Sequence, residues 1–227
     1  MDKQLRKIRQ AYDLTVEQYK KGIDPLDNIP ERIRNSEGYK YILANRNKIN
    51  SDAPDIKKYL NPKPGNRFLD GGCSANLANY RLDTWPSTYY GVDISPCLIE
   101  SMEAFVARHN IRIGGLYVAD ISRLPFDDNF FDIASVIGVF EYCPVDYIGS
   151  ALVELHRVLK AEARMVLDIP NPKHPYVSDM MRLERYLKRP NILHLPSKFE
   201  QILTQQFSIE KVDDSQVMLK YFTQTSK

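Results

Sequence analysis

The spacing of apolar residues divides the chain into a helical first part and a second part in which strands and helices alternate. Residues 1–21 show the three- or four-residue spacing of an amphipathic helix, with apolar side chains at Leu5, Ile8, Tyr12, Val16 and Tyr19. The pattern predicts a second helix over about 31–50, and a short helix followed by a proline-rich linker over 51–66. We therefore expect residues 1–64 to form a helical cap on the remainder of the chain.

From Arg67 onward, short apolar runs alternate with amphipathic segments, which is typical of a parallel sheet with helices on both faces. The pattern predicts strands at about 67–71, 89–93, 115–119, 131–137 and 163–169. It predicts helices at about 75–84, 95–109, 146–160 and 197–205, the second of them capped by Ser95 and followed by Pro96 in its first turn.

The end of the chain carries a different pattern. Phe207–Val212 and Val217–Thr223 alternate apolar and polar residues on either side of Asp213-Asp214-Ser215, and this predicts a β-hairpin. The expected fold of residues 65–227 is therefore α/β. It is a doubly wound, mostly parallel seven-stranded sheet (Rossmann-like), closed by an antiparallel C-terminal hairpin.

Composition excludes some classes of protein and leaves others open. The 227 residues carry a net charge of only +2, so charge gives no reason to expect a nucleic-acid partner. No apolar run approaches the roughly 20 residues that span a bilayer, and the polar N-terminus is unlike a secretory signal. We therefore expect a cytoplasmic protein. We expect no metal site, because the three cysteines (Cys73, Cys97 and Cys143) form no CxxC pair.

A glycine turn follows the first predicted strand, in the order Asp70-Gly71-Gly72-Cys73-Ser74-Ala75-Asn76. Strand, glycine turn and helix form the first crossover of nucleotide-binding folds. The second and third glycines of a dinucleotide fingerprint are absent, so the turn does not favour NAD. A carboxylate at Asp70 suits a ligand with an ammonium group better than a pyrophosphate.

Two further acids follow the next two predicted strands. Asp93 ends the second strand, where an acid can accept hydrogen bonds from both ribose hydroxyls. Asp120 ends the third strand and can accept a hydrogen bond from an adenine amino group. Because strand ends meet on one rim of a parallel sheet, the sequence predicts a nucleoside site there.

Five motifs in register resemble those of the class I S-adenosylmethionine-dependent methyltransferases, in the small-molecule branch often called type 11. They cover about residues 65–170, and they begin at Phe68 (FLDGGC), Tyr90 (YGVDIS), Ala119 (ADISRLPF), Phe131 (FDIASV) and Glu154 (ELHRVLK). The resemblance implies S-adenosyl-L-methionine as cofactor, with S-adenosyl-L-homocysteine as product. It implies methylation of a small, partly apolar acceptor through N, O or C.

The resemblance also implies which residues contact the cofactor. The turn around Gly72 would approach the methionine part, Asp93 would hold the ribose, and Asp120 and Ile121 would flank the adenine. Ile137 and Gly138 would line the pocket near the sulfonium. The complete predicted set is Tyr12, Tyr19, Asp70, Gly71, Gly72, Cys73, Asn76, Asp93, Ile94, Asp120, Ile121, Ile137 and Gly138.

Three positions depart from the family pattern. Ser74 and Asn76 stand where the family usually has glycine, which leaves the backbone shape of the turn open. Glu141-Tyr142 replaces the frequent Glu-His pair. Lys160–Ala163 replaces the usual Lys-Pro-Gly-Gly turn, a change that concerns the start of the fifth strand and not catalysis.

The candidate catalytic bases are Glu141 and His174, with His156 and His194 behind them. A base is needed only if the acceptor must lose a proton before it attacks. His174 lies near the start of an insert, residues 170–196, which we expect to act as a lid over the acceptor together with the N-terminal helices.

Several alternatives remain open at this stage. One is a methyltransferase that acts on RNA or protein. Another is a cofactor-binding protein without catalytic activity, a third is a nicotinamide oxidoreductase, and a fourth is a three-cysteine metalloid site. The sequence gives no oligomeric state beyond a monomer or a homodimer.

Overall fold

The computed structural model describes residues 3–46 and 53–226. Its helices are α1 (Lys3–Lys20), α2 (Glu31–Arg34), α3 (Glu37–Arg46), α4 (Pro54–Leu60), α5 (Asn76–Asn79), α6 (Pro96–His109), α7 (Val145–Val158), α8 (Val177–Tyr186) and α9 (Pro196–Leu203). Its strands are β1 (Arg67–Gly71), β2 (Thr88–Asp93), β3 (Gly115–Val118), β4 (Phe131–Val136), β5 (Leu159–Pro170), β6 (Phe207–Asp213) and β7 (Met218–Thr225).

The strands form one seven-stranded sheet in the order β3-β2-β1-β4-β5-β7-β6. The first five strands are parallel to one another, and β7 pairs antiparallel with both β5 and β6. The predicted doubly wound sheet with an antiparallel C-terminal hairpin is therefore confirmed. The order in which strands are added to the sheet reverses between β1 and β4, so the connections that leave these two strands diverge and leave room for a ligand.

The sheet buries apolar side chains on both of its faces, as a parallel sheet covered by helices must. Neighbouring residues of β1 show this, because Phe68 and Leu69 are both buried but belong to different apolar clusters. At the start of α6, the Ser95 hydroxyl accepts a hydrogen bond of 3.1 Å from the backbone N–H of Leu98, which confirms the predicted cap.

The first three helices contact two different parts of the molecule. Helix α1 packs against α6 and against a short 3-10 helix at residues 140–142, whereas α2 and α3 pack against α8. A small apolar cluster of its own joins α2, α3 and α8, built on Ile33, Tyr39 and Leu183. The insert after β5 is thus in contact with the N-terminal segment.

Several predicted elements differ from the structure. The helix expected over 31–50 is divided into α2 and α3 around Asn35 and Ser36, and residues 47–50 lie outside the described part of the chain. The helix expected over 75–84 is the short α5 followed by a 3-10 turn. Strand β5 begins at Leu159, earlier than predicted, and its fourth residue, Glu162, has a φ of +61°.

Within residues 3–46 and 53–226, the structure contains no helix that combines the length and the apolar character needed to cross a membrane.

Candidate functional site

The turn after β1 is fixed to the end of β2 by backbone hydrogen bonds. The N–H groups of Gly72 and Cys73 donate to the carbonyl oxygen of Val92 at 2.8 and 2.9 Å. Gly72 has a φ of +73° and Ser74 a φ of +41°, so both lie in the left-handed region that favours glycine. The serine therefore adopts the same region of backbone space that a glycine would.

Asp93 holds this turn from the adjacent strand. Its Oδ2 accepts a hydrogen bond of 2.9 Å from the N–H of Ser74, and its Oδ1 accepts one of 2.9 Å from Ser95. The Ser95 hydroxyl donates to Asp13 of α1, which ties the N-terminal helix to the end of β2. Burial raises the pKa of Asp93, although these backbone donors counteract the rise.

Asp120 lies at the end of the next strand and is held by three donors. The N–H and hydroxyl of Ser122 and the hydroxyl of Tyr147 all reach its Oδ1, at 2.9, 2.7 and 2.6 Å. Oδ2 takes part in none of these three bonds, which makes it the oxygen available to a ligand donor. Ile94 and Ile121 place apolar side chains beside the two acids.

One cavity of about 290 Å³ connects these groups, and we call it the rim cavity. Ten of the predicted site residues line it: Tyr12, Gly72, Asn76, Asp93, Ile94, Asp120, Ile121, Ile137, Gly138 and Glu141. Residues from α1, from the loops after β1, β2 and β3, and from the segment after β4 therefore converge on one site.

This set of groups fits S-adenosylmethionine. Two carboxylates on adjacent strand ends can accept hydrogen bonds from a ribose diol and an adenine amino group, and the isoleucines provide apolar walls for a flat ring. At Gly138, where φ is +71°, an added Cβ would have only the Glu141 Oε1 within 4 Å, at 3.8 Å. The backbone there is open to the cavity and can be approached closely by a ligand.

Glu141 is the buried acid of the rim cavity. Glu141 is only 6% exposed, and its Oε2 has no hydrogen-bond partner among the described residues. Burial raises the pKa of Glu141 well above its usual value, and the nearby charge of Asp168 raises it further. An unpartnered buried carboxyl oxygen is costly, and a ligand that hydrogen-bonds to it would recover part of that cost.

Four interacting residues, Tyr12, Tyr142, Glu184 and Arg189, also line the rim cavity. The Tyr12 hydroxyl donates to Tyr142 at 3.4 Å, and Tyr142 donates to Glu184 at 2.8 Å. The Arg189 guanidinium lies 4.2 Å from the centre of the Tyr12 ring and 3.5 Å from Glu184. Of the four, Tyr142, Glu184 and Arg189 were not among the predicted site residues, because no local spacing relates positions so far apart in the chain.

The structure places Asp70, Gly71 and Cys73 outside the rim cavity. Asp70 is fully buried and accepts hydrogen bonds from Tyr89 at 2.9 Å and Ser135 at 3.0 Å. It lines a neighbouring cavity of about 370 Å³, which shares Asn76 with the rim cavity. Burial raises the pKa of Asp70 to about 6. In this arrangement Asp70 supports the turn from the protein interior.

Two further predicted residues also lie elsewhere. Tyr19 is 47% exposed, because it occupies the end of α1 beyond the rim cavity, and its hydroxyl is 3.4 Å from Asp24. His174 lies beyond the end of β5. Its Nδ1 accepts a hydrogen bond of 3.2 Å from the N–H of Tyr176, and its ring packs beside Tyr41. Among the described residues, neither side chain lines the rim cavity.

The other two candidate histidines have structural partners. His156 Nε2 lies 3.3 Å from the carbonyl oxygen of Ser226, and His194 Nε2 lies 3.0 Å from that of Phe140. Burial lowers the pKa of His194. Glu141 is therefore the candidate base that the fold brings to the rim cavity.

Comparison with known proteins adds an independent observation. A family model described as a methyltransferase domain matches residues 69–167. The chain is similar to the 2-phytyl-1,4-naphtoquinone methyltransferase of Nostoc punctiforme, with 34% identity over 131 residues, 56% of each protein. It is also similar to the ubiquinone/menaquinone biosynthesis C-methyltransferase UbiE of a Geobacter species, with 38% identity over 40% of this chain and 38% of the relative.

The chain thus spans little more than half of the first relative's length and less than half of the second's. Among solved structures, it resembles the geranyl diphosphate C-methyltransferase of Streptomyces coelicolor A3(2), with a TM-score of 0.71 and 12% identity over 99% of both chains. At that identity the likeness concerns the fold.

Proposed function

We propose that the chain is a class I S-adenosylmethionine-dependent methyltransferase that methylates a ring carbon of a small acceptor. The acceptor is partly apolar and carries a ring hydroxyl, as a reduced quinone does. The names of both relatives support this class, because one refers to a phytyl naphthoquinone and the other to C-methylation in quinone biosynthesis.

The observation that carries the proposal is the position of Glu141. Its buried carboxyl group, with Oε2 unpartnered among the described residues, shares the rim cavity with the strand-end acids Asp93 and Asp120. A cofactor held by those acids and an acceptor held by Glu141 would occupy one enclosed space. Such confinement supplies the alignment on which an in-line methyl transfer depends.

In the proposed cofactor site, Asp93 binds the ribose hydroxyls and Asp120 the adenine amino group, between the side chains of Ile94 and Ile121. Gly72, with Asn76 beside it, approaches the methionine part, while Ile137 and Gly138 lie near the sulfonium. When bound, S-adenosylmethionine supplies a methyl group that is activated by its positively charged sulfur.

Glu141 then acts on the acceptor. Its carboxylate accepts the proton of the ring hydroxyl, which sends electron density from the oxygen into the ring. The adjacent ring carbon forms the new bond to the methyl carbon as the bond from that carbon to sulfur breaks. The ring carbon afterwards loses its own proton to solvent, which restores the aromatic ring, and Glu141 returns the first proton to the ring oxygen. The raised pKa of Glu141 suits this role, since a base works best when its pKa is near the working pH.

Two measurements test the proposal in sequence. The first is calorimetric titration with S-adenosylmethionine, S-adenosylhomocysteine and NAD, for which we expect micromolar binding of the two sulfur nucleosides and none of NAD. The second is transfer of a labelled methyl group to a panel of quinols, phenols and amines, with the methylated atom assigned by mass spectrometry and NMR. Methylation of amines alone, or of hydroxyl oxygens alone, would overturn the assignment to carbon.

A further inference from the structure

A second cavity of about 500 Å³ lies beside the rim cavity, and the proposed chemistry makes no use of it. We call it the cap cavity, because the N-terminal segment and α8 supply most of its lining residues. Its volume falls within the range of about 300–1,000 Å³ that is usual for small-molecule sites. Its walls come from α1, the α1–α2 loop, α3, α8 and the turn between β6 and β7, and include Tyr19, Leu26, Ile42, Leu183, Leu187 and Val217.

The surface of the cap cavity is mainly apolar and aromatic. Leu26, Ile42, Leu183 and Leu187 belong to, or pack against, the small cluster that joins the N-terminal helices to α8. Of its lining residues in the described part of the chain, the charged ones are Glu184 and Arg189. These two face each other at 3.5 Å, so their charges are largely balanced. Such a surface offers favourable burial to a hydrocarbon and little to a charged ligand.

The cap cavity and the rim cavity share part of their walls. Tyr80, Glu184 and Arg189 line both. Arg189 is held there by Glu184, by the Tyr12 ring and by a hydrogen bond of 3.4 Å from its Nη2 to the Thr15 hydroxyl. The two spaces therefore adjoin across one layer of side chains. A molecule with its reacting ring near Glu141 would have its far end close to this boundary.

We propose that the cap cavity binds an extended hydrocarbon substituent of the acceptor while the reacting ring lies in the rim cavity. This inference rests on the proposed function and adds the second half of the substrate. Residues of α3, α8 and the β6–β7 turn then determine which substituent is accepted. Glu184 and Arg189 lie at the boundary where the polar ring gives way to the apolar chain.

The test compares two ligands on protein saturated with S-adenosylhomocysteine. One is reduced 1,4-naphthoquinone, and the other is the same ring with an isoprenoid chain, both kept reduced under nitrogen and titrated by calorimetry. Because burial of several methylene groups is favourable, we expect the chain-bearing ligand to bind at least about tenfold more tightly. Equal affinities, or no binding of the chain-bearing ligand, would overturn the inference.

Two cavity-filling variants test whether the hydrocarbon chain of the ligand lies in the cap cavity. Ile42→Trp fills the cavity from α3, and it should remove the affinity gained from the chain while affinity for the bare ring changes less than about twofold. Leu43→Trp is the matched control, since Leu43 is the next residue of α3 and is exposed. Equal losses in Ile42→Trp and Leu43→Trp would overturn the assignment to this cavity.

A second cavity-filling variant lies outside the helical cap, so that its effect does not depend on how Ile42→Trp changes the packing of that cap. Val217→Trp enters the same cavity from the β6–β7 turn and should have the same effect as Ile42→Trp. Thermal melts and S-adenosylhomocysteine affinity establish that each variant is folded. Failure of the proposed function is distinguishable, because neither ligand would then be methylated in a separate assay with S-adenosylmethionine while the affinity gained from the hydrocarbon chain persisted.

Discussion

Asp168 on β5 accepts a hydrogen bond of 2.8 Å from the backbone N–H of Gly138, in the segment that follows β4. This contact fixes the loop that carries Glu141 into the rim cavity. Burial raises the pKa of Asp168, and the charge of Asp168 in turn adds to the rise that burial causes at Glu141. Asp168 therefore both fixes this loop and contributes to the raised pKa of Glu141, for which burial is the larger cause.

Replacement of Glu141 by glutamine should separate catalysis from cofactor binding. We expect kcat to fall by about 100-fold or more, since general-base catalysis typically contributes that much. Affinity for S-adenosylhomocysteine should change less than twofold. In the wild type, kcat should rise with pH through the raised pKa of Glu141, and this rise should be absent from the variant. A Glu141→Gln enzyme that kept the same pH profile would exclude Glu141 as the base.

The buried carboxyl of Asp70 predicts how the stability of the ligand-free protein depends on pH. Burial raises its pKa to about 6, against about 3.9 in an unfolded chain. The folded state then binds the proton more tightly, so this group's contribution to stability is present below about pH 4. It is lost as the pH rises toward 6 and beyond.

Asp70→Asn removes this titration while it keeps the shape of the side chain. The free energy of unfolding of Asp70→Asn, relative to wild type, should increase by up to about 1.4 kcal/mol per pH unit between about pH 4 and pH 6, and should be constant above that range. Urea unfolding at several pH values between 4 and 7 measures the difference. Asp127→Asn is the control, because Asp127 is exposed.

The sheet and the strand-end acids can be predicted because their signals are local. The apolar run and the glycine turn around Phe68 place β1 at the residues where it is found. Asp93 and Asp120 follow from the rule that parallel strands end on one rim. Each of these inferences needs only a few consecutive residues.

The contacts that join Tyr12 to Tyr142 and Arg189 could not be predicted in the same way, although Tyr12 itself is among the predicted residues. Tyr12, Tyr142 and Arg189 come from three distant segments, and only the packing of α1 against the 140–142 helix brings the first two together. Asp70 illustrates the opposite case, since its place in the motif predicts a ligand contact. In the structure, hydrogen bonds from Tyr89 and Ser135 hold the Asp70 carboxylate outside the rim cavity.

Asp93 offers a direct test of the proposed ribose site. Loss of charged hydrogen bonds in Asp93→Ala should weaken S-adenosylhomocysteine binding by about 2 kcal/mol, or about thirtyfold in Kd. Asp127→Ala should bind as the wild type does. Calorimetry measures both affinities, and a urea unfolding curve shows whether Asp93→Ala is folded. Wild-type affinity in a folded Asp93→Ala protein would refute the assignment of Asp93 to the ribose.

Substitutions of Ser74 test whether the serine is tolerated in the left-handed backbone conformation of the turn. At a φ of +41°, a residue with a side chain costs about 1–2 kcal/mol that glycine avoids, and the greater freedom of glycine in the unfolded chain offsets part of this gain. We therefore expect Ser74→Gly to raise the free energy of unfolding by up to about 1 kcal/mol without loss of cofactor affinity. Ser74→Val should lower it by about 1–3 kcal/mol, since β-branched residues are strained in this region. Destabilisation by both substitutions would show that the serine side chain, and not the backbone conformation alone, stabilises the turn.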